Sequence, residues 1–107
     1  MTKEFINYTE ALALKELGFD KPCLMYYDYS WTLVESGVYE CKAPLYQQAF
    51  SFFREKYGLL YNIDETYKKS SEYIYSIGYG WSDAFESYEE AEFECLKKLI
   101  EIVKEKK

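Results

Sequence analysis

Residues 72–79 read EYIYSIGY. Tyr73, Tyr75, Ile77 and Tyr79 fall on one side of an extended chain, and Ile74, Ser76 and Gly78 on the other, because side chains alternate across a strand. The period of two marks this stretch as a strand. It makes the chain more than a helical bundle. It also poses a question: if Ile74 faces the helices the tyrosines face out, and if Ile77 does they are core.

Working upstream, Lys68, Lys69, Ser70 and Ser71 form a polar turn, and residues 59–64 (LLYNID) form the strand that leads into it. So short a link makes the pair antiparallel. Downstream, Ser87 followed by Glu90 is a capping box, and it opens a helix expected over 88–104. Tyr88, Ala91, Cys95, Leu99 and Ile102 share one face of it, with Leu96, Ile100 and Val103 beside them. Glutamates crowd its first turns and lysines its end, the order that the helix dipole favours.

The first half repeats the plan. Thr9 is a candidate N-cap for a helix over 9–17, with Ala11, Leu14 and Leu17 as its apolar stripe. Gly18 then suits a left-handed closing residue, and Phe19 can fold back onto Leu14. Residues 23–28 (CLMYYD) and 31–34 (WTLV), extending towards Tyr39, read as a hairpin linked by Tyr29 and Ser30. A second helix begins near Pro44. Tyr46, Ala49, Phe50, Phe53 and Tyr57 line its face, and Gly58 and Leu59 repeat the earlier ending.

The expected order is α-β-β-α-β-β-α. The simplest packing is a single α+β domain over 1–107, an antiparallel four-stranded sheet packed by helices.

Composition bounds the function. The 107 residues include thirteen Tyr, seven Phe, two Trp and no His. Tyrosine serves both cores and binding surfaces. Without histidine the chain lacks the commonest general base and metal ligand. No GxSxG or Walker-type loop is present, and no spacing among Asp28, Glu35, Glu40, Asp64 and Asp83 selects a catalytic pair. We therefore expect a binder and not an enzyme, with no cofactor and no metal. The net charge is −6, with 13 basic residues against 19 acidic. One arginine, Arg54, stands among the lysines. Direct binding to a nucleic-acid backbone is not expected from such a balance. Cys23, Cys41 and Cys95 are widely spaced and read as free thiols of a reducing compartment. The first residues, MTKEFINYTE, hold no apolar leader segment, and no apolar run suits a membrane span. A cytoplasmic location without membrane contact is expected.

One helical layer shields only one sheet face, so some aromatics exceed what a single core absorbs. Tyr73, Tyr75 and Tyr79 are either core residues with wet hydroxyls or an exposed platform for stacking bases or a second subunit. A bare aromatic face would also favour a homo-oligomer. Trp31 and Trp81 lie in or beside turns, where binding residues concentrate, although each can equally plug a core edge. The stretch from Gly78 to Asp83 combines glycines with Trp81, Ser82 and Asp83, which offer stacking and hydrogen bonding. Arg54 borders the apolar face of the second helix, placed either for a phosphate or for a neighbouring acid. The candidate ligand-binding residues are thus Trp31, Arg54, Tyr73, Tyr75, Tyr79, Trp81 and Asp83. The acids from Glu86 to Glu94 are either a solvated helix face or a phosphate mimic.

The segments EALALKELGFDKPCLMYYD, APLYQQAFSFFREKYGL and SYEEAEFECLKKLIEIVK resemble short accessory proteins encoded by bacteriophages and prophage-like elements of gut bacteria. The similarity covers about half of the chain. It carries over no residue roles. It implies a small viral protein acting in the host cytoplasm, of a kind that often opposes host defence. Two functions fit: sequestration of a nucleotide-type signal by aromatic residues, or direct inhibition of a host protein by an acidic or tyrosine-rich surface.

Overall fold

A computed structural model of the chain describes residues 5–66, 72–78 and 81–106. Among them lie three helices and five strands, in the order α1 (Tyr8–Glu16), β1 (Met25–Tyr27), β2 (Leu33–Val34), β3 (Cys41–Ala43), α2 (Tyr46–Tyr57), β4 (Tyr61–Glu65), β5 (Tyr73–Ile77) and α3 (Tyr88–Lys106). The chain divides into two compact units, Met1–Phe52 and Phe53–Lys107, with the division falling inside α2.

In the first unit β1 lies between β2 and β3, antiparallel to both. Tyr26 pairs with Val34 on one side and Lys42 on the other. α1 packs on β3. It begins one residue before the expected Thr9 cap: Asn7 holds the N-cap position without a side-chain hydrogen bond. Its end follows the sequence signal closely. Gly18 turns left-handed at φ +97. The Gly18 N–H reaches the Lys15 carbonyl at 3.0 Å and the Phe19 N–H reaches that of Leu14 at 2.9 Å. These are the two bonds of a Schellman closure, and Leu14 and Phe19 are both buried. The stripe of Ala11, Leu14 and Leu17 is buried as well, and Phe19 meets the Phe52 ring edge-on at 5.4 Å.

α2 starts two residues later than Pro44 suggests. The Gln48 Oε1 accepts the Leu45 N–H at 3.0 Å and so supplies its cap. Ala49, Phe50, Phe52 and Phe53 are buried along it. It ends at left-handed Gly58 with the Leu59 N–H reaching the Phe53 carbonyl at 3.2 Å, a wider closure than at α1.

In the second unit β4 and β5 form an antiparallel pair, with Tyr61 opposite Ile77 and Glu65 opposite Tyr73. α3 packs on both strands. Ser87 caps α3 as expected, its Oγ accepting the Glu90 N–H at 3.1 Å. Ala91, Cys95, Leu96, Leu99, Ile100 and Val103 are buried. Phe85 extends the ladder beyond β5 by exchanging two backbone bonds with Tyr73, at 2.7 and 2.8 Å.

The mixed α+β class holds, but the single four-stranded sheet does not. The strands form a sheet of three and a sheet of two. The element that changes the count is β3, which turns the expected α-β-β-α-β-β-α into α-β-β-β-α-β-β-α. Its sequence, CKA, is too short to show alternation, and Pro44 directly after it looks like a helix start. By pairing with β1 on the side away from β2, β3 completes a three-stranded sheet within the first unit. No helix among the described residues is long and apolar enough to cross a membrane.

Candidate functional site

The first unit contains a cleft of about 380 Å³. α1 supplies Lys15 to its wall, the chain after α1 supplies Phe19 and Asp20, the β1–β2 turn supplies Tyr29, the chain into β3 supplies Tyr39 and Glu40, and β3 itself supplies Cys41 and Lys42. Two of these walls are rings held out in water: Tyr29 is 66% exposed and Tyr39 43%. Tyr39 does not float, because its ring stacks on Tyr26 at 4.3 Å.

The charged groups are placed by backbone carbonyls. The Lys15 Nζ donates to the Glu40 carbonyl and the Lys42 Nζ to the Asp20 carbonyl, each at 2.7 Å. An ammonium has three N–H groups, so each lysine is oriented by one and has donors to offer with the others. Glu40 engages elsewhere, accepting the Tyr8 hydroxyl at 2.7 Å on Oε1. That bond, ahead of desolvation and the charge of Glu40, pushes the Tyr8 phenol up. Burial pushes the Cys41 thiol up too, with Glu40 adding and Lys15 opposing. Cys41 therefore lines the cleft as a neutral thiol. Two cations and two carboxylates leave the cleft near neutral, inside a chain of net charge −6. Its chemistry is a pair of aromatic faces beside oriented N–H donors, a combination suited to a planar ring that carries an anionic group.

The sequence-derived candidates divide between the units. Trp31 belongs to the first and Arg54, Tyr73, Tyr75, Trp81 and Asp83 to the second. Tyr79 and its neighbour Gly80 lie outside the described residues. The question posed by β5 has a geometric answer. Tyr73 meets Tyr88 of α3 edge-on at 5.9 Å, and Tyr75 stacks on Phe85 at 6.0 Å. Every residue of β5 is half-buried. Burial pushes the Tyr75 phenol up, and the α3 groups Cys95, Lys98, Glu94 and Glu101 all act on it. These two tyrosines therefore face α3 and form no open platform.

Ser82 is committed to the fold. Its N–H donates to the Tyr75 carbonyl at 2.8 Å, and its Oγ accepts the Tyr75 N–H at 3.0 Å. The segment 82–85 thus covers the outer edge of β5 and draws Tyr73, Tyr75 and the Trp81–Asp83 stretch together. Trp81 beside it is 55% exposed, and Asp83 is exposed. Arg54 is exposed on α2 and acts on the Tyr61 phenol, opposing the upward push of burial. Among the described residues no three His, Cys, Asp or Glu side chains gather as a metal cluster.

Lys15, Lys42, Tyr29 and Tyr39 escaped the sequence reading. Each is an ordinary residue by local pattern: a lysine on a helix, a lysine in a strand too short to see, and two tyrosines among thirteen. The Asp28–Thr32 turn that positions Tyr29 was the one available signal.

Scans against protein-family models, curated proteins and solved structures return no match to this chain.

Proposed function

We propose that this chain is a non-catalytic accessory protein of the phage type that opposes host defence by sequestering a nucleotide-type small molecule, and that the first unit's cleft is where the ligand sits. The observation that carries this reading is the pairing of exposed Tyr29 and Tyr39 with the oriented ammonium groups of Lys15 and Lys42 around one cleft. The rings stack on the base, and the lysines meet the phosphate. A mononucleotide or a portion of a larger cyclic dinucleotide suits a cleft of this size. Asp20 and Glu40 temper the attraction for a dianion, so affinity depends on the rings as much as on charge.

The test is a melting curve recorded with the ribonucleoside monophosphates, the cyclic mononucleotides and the cyclic dinucleotides. A ligand at a hundred times its Kd adds about 2.7 kcal/mol of stability. Lys15→Ala combined with Lys42→Ala should then remove the response. An unshifted melting temperature across the whole panel would sink the reading.

A second reading has its own observation. Glu86, Glu89 and Glu90 are all exposed around the start of α3. Such an acidic surface could occupy a phosphate-binding face of a host protein and inhibit it directly. That complex would dissociate in high salt and survive the double lysine substitution.

A further inference from the structure

The β1–β2 connection runs from Asp28 to Thr32, and its bonds are fully specified. The Trp31 N–H reaches the Asp28 carbonyl and the Asp28 N–H reaches the Thr32 carbonyl, both at 3.0 Å. The Asp28 Oδ1 accepts the N–H groups of Ser30 and Thr32, at 2.8 and 3.0 Å. This is a tight turn closed by one left-handed residue, the bulge position of a short hairpin loop. Glycine suits that position, and a bulky side chain there is an outlier. Here it is Trp31, at φ +66, the one residue other than glycine with positive φ among the described residues.

Burial does not explain the choice, since Trp31 is 67% exposed. Its indole touches the Tyr8 ring at 5.5 Å, tilted by 31°. Tyr8 in turn holds Glu40 of the cleft wall through its hydroxyl, and Tyr29 of the same turn is itself part of that wall. Trp31 does not itself line the cleft, but the turn it closes carries Tyr29 into the cleft wall, so its open aromatic surface lies on the same turn as a lining residue, at a cost in backbone strain. Strain of this kind persists only where the surrounding bonds hold it, here those of Asp28, and such residues cluster at functional sites.

We propose that Trp31 is a ligand-contacting residue that stacks on the planar ring of the molecule held in the first unit's cleft. The proposal rests on the cleft reading and adds a third ring to Tyr29 and Tyr39 for the base. Lys15 and Lys42 meet the anionic end, and Trp31 discriminates ligands that carry a flat ring from those that do not.

Two variants test it. Trp31→Gly places at the bulge the residue its backbone favours, and Trp31→Asn places one that tolerates it. Both should melt no lower than the parent. Both should bind the strongest nucleotide of the panel about tenfold more weakly, the usual weight of one base–aromatic stack. Binding of ribose phosphate, which has no base, should be unchanged. A marked drop in melting temperature in both variants would show that Trp31 is there to hold the turn and would overturn the proposal. Nucleotide affinity within twofold of the parent would overturn the role of Trp31 alone and leave the cleft standing. Equal losses for the nucleotide and for ribose phosphate would overturn base stacking. A parent protein that binds no panel member removes the cleft and this proposal together.

Discussion

Glu92 is a carboxyl in an unfavourable place. Burial pushes its pKa up and the charge of Glu89 adds to the push. Its own charge raises the phenols of Tyr61 and Tyr88, and it adds to the burial that together with it pushes the Cys95 thiol up to about 12. The sign of the stability effect follows from linkage. Below the unfolded value near 4.5 Glu92 is protonated in both states, and its favourable contribution is fully present. As pH rises through the higher folded value that contribution is lost, because the folded state must hold a half-buried anion beside another. Glu92→Gln removes the charge and keeps the shape. It should raise the urea midpoint at neutral pH and leave it unchanged below pH 4.5. Equal midpoints for parent and variant at neutral pH would show that Glu92 is not held under strain. Lone side chains of this sort were invisible in the sequence, where Glu92 was one acid in a run and its burial depended on where α3 would dock.

Helix ends were the most readable elements, because each is fixed by a few adjacent residues. Gly18 with Phe19 foretold the closure of α1, and Ser87 with Glu90 foretold the start of α3. The closure can be tested directly. Gly18 sits at φ +97, where an added Cβ is strained whatever surrounds it. Gly18→Ala should destabilise the protein by about 1–2 kcal/mol in chemical denaturation, with the helix content of the folded state preserved. A loss under a few tenths would mean that α1 frays before this turn and that the Leu14–Phe19 contact forms without it. Strands were less readable for a physical reason. β2 has two residues and β3 three, so neither completes a period, and their existence depends on β1 pairing with both. The longer EYIYSIGY stretch announced a strand, found over Tyr73–Ile77, but its face was decided by Tyr88 and Phe85, which come from outside the strand. The candidate site suffered in the same way. Trp31 could be singled out as a turn residue, whereas the lysines and tyrosines of the cleft meet only through the packing of α1 on β3.

The whole chain carries −6, and any nucleotide is an anion, so the long-range field opposes the proposed ligand while the near field of Lys15 and Lys42 favours it. These two effects respond differently to salt. The Debye length falls from about 30 Å at 0.01 M to about 10 Å at 0.1 M ionic strength. Repulsion summed over the molecule is screened across that range, while a lysine in direct contact with a phosphate is screened much less. The association rate for the strongest nucleotide of the panel should therefore rise between those two salt concentrations, and the dissociation rate should change little. A protein that grips a nucleic-acid backbone does the reverse, losing affinity steeply because release of condensed counterions on binding becomes less favourable as salt is added. Stopped-flow measurement of tryptophan emission in a Trp81→Phe background, which leaves Trp31 as the reporter, separates the two rates. An association rate that falls as salt is added would mean that a positive field steers the ligand. Such a field is incompatible with a near-neutral cleft on an acidic chain, and the binding site would then have to lie elsewhere on the protein.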